Sequence, residues 1–147
     1  MTAANSFCDT ISEELKKKMK SFRFRKTKTI AAIVLKIDMK TGEVVEEEFD
    51  EDLSEECSIE QIVEEVSAHQ PRYIVISYKY IHDDGHTSYP LFFVYFCPRG
   101  CNPEQMMRYA GSKTVLQNEI GVTKTFQISE IETLTTEYLD SQVKFYR

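Results

Sequence analysis

Apolar residues along the chain recur at two different periods, and the changes of period divide it into elements. Ile11, Leu15, Met19 and Phe22 repeat at helical spacing around Thr10-x-x-Glu13, a capping-box pattern, so a first amphipathic helix is expected there. "IAAIVLKI" and "EVVEEEF" read as two short strands joined through "DMKTG", where Gly42 suits a turn. Ser58 and Gln61 form a second box. Ile59, Ile62, Val63 and Val66 continue it as a helix that must stop before Pro71. "RYIVISYKYIHDDGHTSYPLFFVYF" then places two runs of branched and aromatic residues around Asp84-Gly85, the signature of a long hairpin.

Phe92 to Phe96 shows no polar alternation, so that strand should be covered on both faces, with helices on both sides of the sheet. "CNPEQMMRYAGSK" opens a further helix. Asn102 can cap it, Pro103 suits its first position and Gln105 can close a box. A strand "TKTFQI" follows. A last helix should start between Ser129 and Thr135, with Leu134, Tyr138, Leu139, Val143, Phe145 and Tyr146 on its apolar faces. Repeats, low-complexity tracts and linker-like stretches are absent, so residues 1–147 read as a single α/β layered domain.

The helix from Pro103 carries more apolar residues than one stripe holds. Met106, Tyr109, Ala110, Leu116 and Ile120 cluster on one side, with Lys113 intruding, while Met107, Gly111 and Val115 mark another. A glycine in a helix interior costs about 1 kcal/mol against alanine. Two explanations stand. Gly111 beside Met107 admits the close approach of a partner, since methionine adapts to irregular surfaces; alternatively, both methionines fill core gaps and Gly111 relieves a tight helix-to-sheet contact.

A net charge of −6 argues against general affinity for nucleic acid, but the charges are segregated. Eight of the eighteen Lys and Arg lie between Lys16 and Lys28, and "EEEFDEDLSEE", residues 46–56, holds eight carboxylates. Either these are two solvated surfaces or they meet a partner of mixed charge. Cys8, Cys57, Cys97 and Cys101 form no secretory framework, so reduced thiols in the cytosol are expected. The amino-terminal stretch has no export pattern, and "LFFVYF" is too short to span a bilayer.

Catalytic chemistry is thinly represented. Phosphate-loop, dinucleotide and nucleophile-elbow motifs are all missing, and no cofactor is expected. "HDDGH" offers two imidazoles and two carboxylates for a metal, yet Asp-Gly with polar flanks is first a soluble hairpin tip, and no metal site is assigned. "CPRGC" lacks the C-x-x-C spacing of a redox pair. His69 should sit near the carboxyl end of the second helix, without a sequence neighbour that would make it a base. An enzyme is not expected and no catalytic residue is assigned.

"KSFRFRK", "QPRYIVISYKYIHDDGHTSYPLFFVYF" and "CNPEQMMRYAGSK", in this order and spacing, resemble the glia maturation factor group of the actin-depolymerising factor homology family, which includes cofilin. The resemblance covers nearly the whole chain. It implies a mixed β-sheet sandwiched between helices and a noncatalytic, monomeric ligand of the actin-related protein 2/3 complex. Such a ligand detaches daughter filaments at branch points and inhibits new nucleation, with weak or no binding to actin itself and with neither nucleic acid nor membrane as a partner.

The helix at Pro103 then corresponds to the one that cofilin-like proteins insert between the lower lobes of an actin-shaped subunit. The contact set implied is Lys20, Arg23 and Arg25 together with Glu104, Gln105, Met107, Arg108, Gly111, Ser112 and Lys113. A second surface is implied at His82, Asp83 and Asp84. Where cofilin-like sequences carry lysines ahead of this methionine, the chain has Glu104, Gln105 and Met106, which should weaken docking onto acidic actin. A conventional cofilin-like severing protein is the alternative. The implied location is the cytoplasm, at branched actin networks, with the nucleus left open.

Overall fold

The computed structural model describes residues 11–25, 28–50, 52–122 and 124–145. The chain runs through α1 (Glu13–Arg23), β1 (Ala31–Ile37), β2 (Val44–Glu46), α2 (Ile59–Glu65), β3 (Arg72–Ser77), β4 (Tyr80–Ile81), β5 (Thr87–Ser88), β6 (Leu91–Phe96), α3 (Pro103–Ile120), β7 (Lys124–Ile128) and α4 (Thr136–Phe145). Five strands form one mixed sheet in the order β2-β1-β3-β6-β7. Its neighbours are antiparallel except β6 and β7, which run parallel, with α3 in the crossover that parallel pairing requires. The mixed sheet between helices is the fold that the resemblance implied.

The missing polar alternation in β3 and β6 follows from two cores. On one face Ile74, Ile76, Phe92, Val94 and Phe96 pack against Ile59 and Ile62 of α2 and Leu139 and Val143 of α4. On the other, Tyr73, Val75, Phe93 and Tyr95 pack against Leu15, Met19 and Phe22 of α1 and Tyr109, Leu116 and Ile120 of α3. Successive side chains of a strand point to opposite faces, so a strand with helices on both sides is apolar throughout.

Local chemistry sets most boundaries where the pattern placed them. Gly42 takes a φ of 76° in the β1–β2 turn, and Ser58 and Gln61 make the reciprocal capping box of α2. Other details differ. The cap of α1 is Ser12, whose Oγ accepts from Leu15 N at 3.1 Å, whereas Thr10 lies outside the described residues. Ile11 precedes the helix and bridges to Val44 of β2.

The long hairpin is two hairpins in series. β3 pairs with β6 in the main sheet and β4 with β5 beyond it, and Tyr78 N donates to Pro90 O at the junction. Proline brings no N–H to a ladder, so pairing lapses there. The final helix is preceded by a short 3-10 turn, Ile131–Thr133, and Tyr138 N donates to Thr135 Oγ1 at its start. The side chain of Phe145 and residue Tyr146 lie outside what is described. His69 stands in a turn beyond α2, which ends at Glu65.

Candidate functional site

Asn102 Oδ1 starts α3 by accepting from the backbone of Glu104 at 2.8 Å and of Gln105 at 3.3 Å, which satisfies two of the donors a helix leaves open. The far end closes at Gly121, whose φ of 81° is the left-handed conformation a helix stop favours in glycine. Between these ends only a narrow stripe, Tyr109, Ser112, Leu116 and Ile120, is buried on the sheet.

Two tyrosines lock that stripe in place. Tyr109 Oη accepts from Ile37 N at 2.9 Å at the end of β1, and Tyr73 Oη of β3 donates to the Tyr109 carbonyl. Their rings sit 5.2 Å apart. Burial raises the hydroxyl pKa of both above the usual tyrosine range, so each stays a neutral hydrogen-bonding group. Nothing in the apolar pattern marks this lock, because the hydroxyls ride on residues that the pattern counts only as core.

With α3 held on so few residues, its other apolar groups face out. Met107 is 64% exposed and Met106 37%, and Ala110 and Gly111 are exposed beside them. Met106 and Ala110 were expected on the sheet side; both are exposed instead, because the buried stripe of α3 takes one residue per turn, Tyr109, Ser112, Leu116 and Ile120. Gly111 is helical, without positive φ, and faces away from the core. It therefore does not relieve a helix-to-sheet contact. A depression of about 320 Å³ adjoins this face, lined in part by Tyr95, Cys97, Met107 and Lys113. Lys113 Nζ lies 5.9 Å over the Tyr95 ring.

The remaining expected contact residues fall into separate groups. Glu104 is exposed, and Gln105 and Arg108 are half-buried on the first turns of α3. Ser112 is only 3% exposed, in the stripe against the sheet, and leaves the outward set. Lys20 and Arg23 are exposed on the last turn of α1, which packs beside α3. The Arg23 guanidinium lies against Gly121, so close that a Cβ there would meet Arg23 Nη1 at 2.3 Å. This puts a cation at the carboxyl end of α3, favoured by the helix dipole, and about 15 Å along the axis from Gly111.

Arg25 turns inward. It donates to Thr29 O at 2.9 Å, Thr29 Oγ1 at 2.8 Å and Glu55 O at 2.9 Å, tying the segment after α1 to the acidic loop. Those carbonyls already hold its guanidinium, so it is a structural tie and not a member of an open cationic face.

The hairpin tip forms a self-bonded turn. Gly85 has a φ of 92°, and Asp84 Oδ1 accepts from His86 N at 3.0 Å and lies 2.7 Å from His86 Nδ1. The hydrogen bonds from His86 hold the Asp84 carboxyl below its ordinary value. The His82 and His86 rings stack at 4.0 Å, and His82 Nε2 is 2.7 Å from Ser88 Oγ. Asp83 and Asp84 are exposed and His82 is half-buried. Among the described residues no three His, Cys, Asp or Glu side chains are grouped to hold a metal ion. Cys97 is buried and Cys101 half-buried, the latter donating to Pro98 O at 3.0 Å.

Residues 9–144 match the family described as cofilin/tropomyosin-type actin-binding protein. The chain is 47% identical to human glia maturation factor beta over 139 residues, covering 95% of this chain and 94% of that one. It is 39% identical to glia maturation factor of Drosophila melanogaster, covering 95% of this chain and 98% of the other. The solution structure of glia maturation factor from Caenorhabditis elegans superposes with a TM-score of 0.76 at 39% identity, covering 96% and 99% of the two chains. A Streptomyces griseoflavus cofilin crystal structure reaches the same TM-score of 0.76 at 19% identity, covering 92% and 97%, which speaks to fold alone. With its mixed sheet, its long helix and these relatives, the chain belongs to the cofilin/tropomyosin-type actin-binding family and, within it, to the glia maturation factors.

Proposed function

We propose that the chain binds the actin-related protein 2/3 complex, promotes release of daughter filaments from branch points and inhibits nucleation of new branches, as a noncatalytic cytoplasmic ligand. The observation that carries this reading is the outward face of α3. A helix locked to the sheet by Tyr73 and Tyr109 holds an exposed Met107 next to an exposed Gly111. Such a face suits insertion into a cleft: the glycine lets the opposing surface approach, and the methionine fits an irregular wall.

Glu104, Gln105, Arg108 and Lys113 flank the notch, and Lys20 and Arg23 extend the surface toward the other end of α3, where they can meet partner carboxylates. A second contact is assigned to the hairpin tip at His82, Asp83 and Asp84, an acidic projection that would face a basic region. The similarity to glia maturation factors over almost the whole chain supports the choice of partner.

The family description keeps actin itself as a second reading. Glu104 and Gln105 bring no cation to the start of α3, which disfavours an acidic partner surface. Direct observation of preformed branched filaments with purified protein tests the first reading, and loss of branches without shortening of the mother filaments is expected. Cosedimentation with bare filaments separates the two. Strong stoichiometric binding there, with branches left intact, would replace the first reading by the second.

A further inference from the structure

The described methionines differ in exposure. Met19 is 3% exposed under α1 and Met39 is packed against the same core, whereas Met106 and Met107 present 37% and 64% of their surface side by side on α3. An exposed thioether is open to two-electron oxidation; one sealed in a core is shielded until the fold opens. Among the described methionines the most exposed sulfurs thus lie on the proposed docking face.

We infer that Met106 and Met107 form an oxidation site through which peroxide reversibly disables the outward face of α3, with Met107 the leading residue. The chemistry balances with hydrogen peroxide as the oxidant. The thioether sulfur attacks one peroxide oxygen, the O–O bond breaks, and the departing hydroxide takes up the second proton to leave as water. The sulfur gains one oxygen as a sulfoxide. A dithiol-dependent methionine sulfoxide reductase returns it, the dithiol becoming a disulfide and the oxygen leaving as water.

Cys57 and Cys101 compete weakly for the oxidant. Burial raises the Cys101 pKa above its ordinary value and pushes Cys57 up to about 11, which keeps their reactive thiolate forms scarce near neutral pH.

The consequence follows from what the face is for. A sulfoxide is polar and a strong hydrogen-bond acceptor, so burying it in an apolar cleft strips it of water without a partner. The expected loss is about tenfold or more in affinity for each sulfoxide that the partner buries. The helix itself is retained, since neither methionine belongs to the buried stripe of α3.

This inference rests on the docking reading, and the test keeps the two apart. Purified protein is treated with limiting hydrogen peroxide and then dithiothreitol, which restores oxidised thiols and leaves sulfoxides. Peptide mass spectrometry should find sulfoxide first at Met107, then at Met106, with Met19 spared; equal oxidation of Met19 would overturn the site assignment. Binding to the purified actin-related protein 2/3 complex should fall about tenfold or more and return after incubation with methionine sulfoxide reductases.

Whatever affinity Met107→Leu combined with Met106→Leu retains before treatment, peroxide should not lower it further. Full oxidation of Met107 with unchanged affinity would refute the inference, as would equal peroxide sensitivity of the double leucine variant. If untreated protein does not bind the complex, the proposed function fails, while selective oxidation is still read by mass spectrometry alone.

Discussion

Replacing Gly111 by leucine distinguishes a glycine kept for docking from one kept for packing, because the two roles move stability and affinity differently. Gly111 is exposed on α3 with an ordinary helical backbone, so the fold gains from a better helix former. Leucine is favoured over glycine in a helix interior by roughly 0.7 kcal/mol. For a domain of this size about 1 kcal/mol moves Tm by roughly 3 °C, so a rise of about 2 °C is expected. Affinity should move the other way. Forcing extra carbon atoms into a close-fitted contact costs typically about 1–3 kcal/mol, a loss of roughly five- to 150-fold in Kd.

Gly111→Ala provides the intermediate case, with a helix gain of about 1 kcal/mol and a smaller steric change. Thermal unfolding followed by circular dichroism gives the first quantity, and titration against the purified complex gives the second. A raised Tm with unchanged affinity in the leucine variant would take Gly111 off the contact. A lowered Tm would show that the chain's own atoms need the space, and the packing explanation would return.

Tyr109→Phe removes the acceptor of the buried Ile37 N–H, and leaving such a donor unsatisfied should cost about 1–3 kcal/mol in urea unfolding; a loss below about 0.5 kcal/mol would mean that the lock does not hold α3. Lys20→Glu with Arg23→Glu should weaken binding to the complex without unfolding the domain, since both are exposed and unfavourable charges at the carboxyl ends of α1 and α3 cost about 1 kcal/mol. Equal affinity in the folded double variant would remove the carboxyl end of α3 from the interface. Burial raises the Cys57 thiol from 9.0 to about 11, so its contribution to stability is full below pH 9 and lost as pH rises through the folded value. Stability of Cys57→Ala should accordingly fall less than wild type between those limits, which denaturation at a series of pH values measures.

Much of this molecule is written locally. Ser58 with Gln61, Asn102 with Pro103, and Asp84-Gly85 set helix starts and a turn through bonds between near neighbours, so the chain order alone locates them. The unbroken apolar run from Phe92 to Phe96 likewise specifies a strand covered twice, because alternate side chains must all be buried. The surface of α3 is different. Which of its apolar residues face inward depends on how much room the sheet leaves, and the sheet accepts Tyr109 while turning Met106 and Ala110 out.

The destinations of the three cations depend on contacts between distant segments. Lys20 lies open on the last turn of α1, Arg23 reaches Gly121, and Arg25 is held by Thr29 and Glu55. A periodic pattern records which residues avoid water, but not which pairs meet across the fold. For that reason the sequence singled out Gly111 and Met107 but left their role open, whereas the exposure of that face, its tyrosine lock and the placement of the nearby charges were decided by tertiary packing.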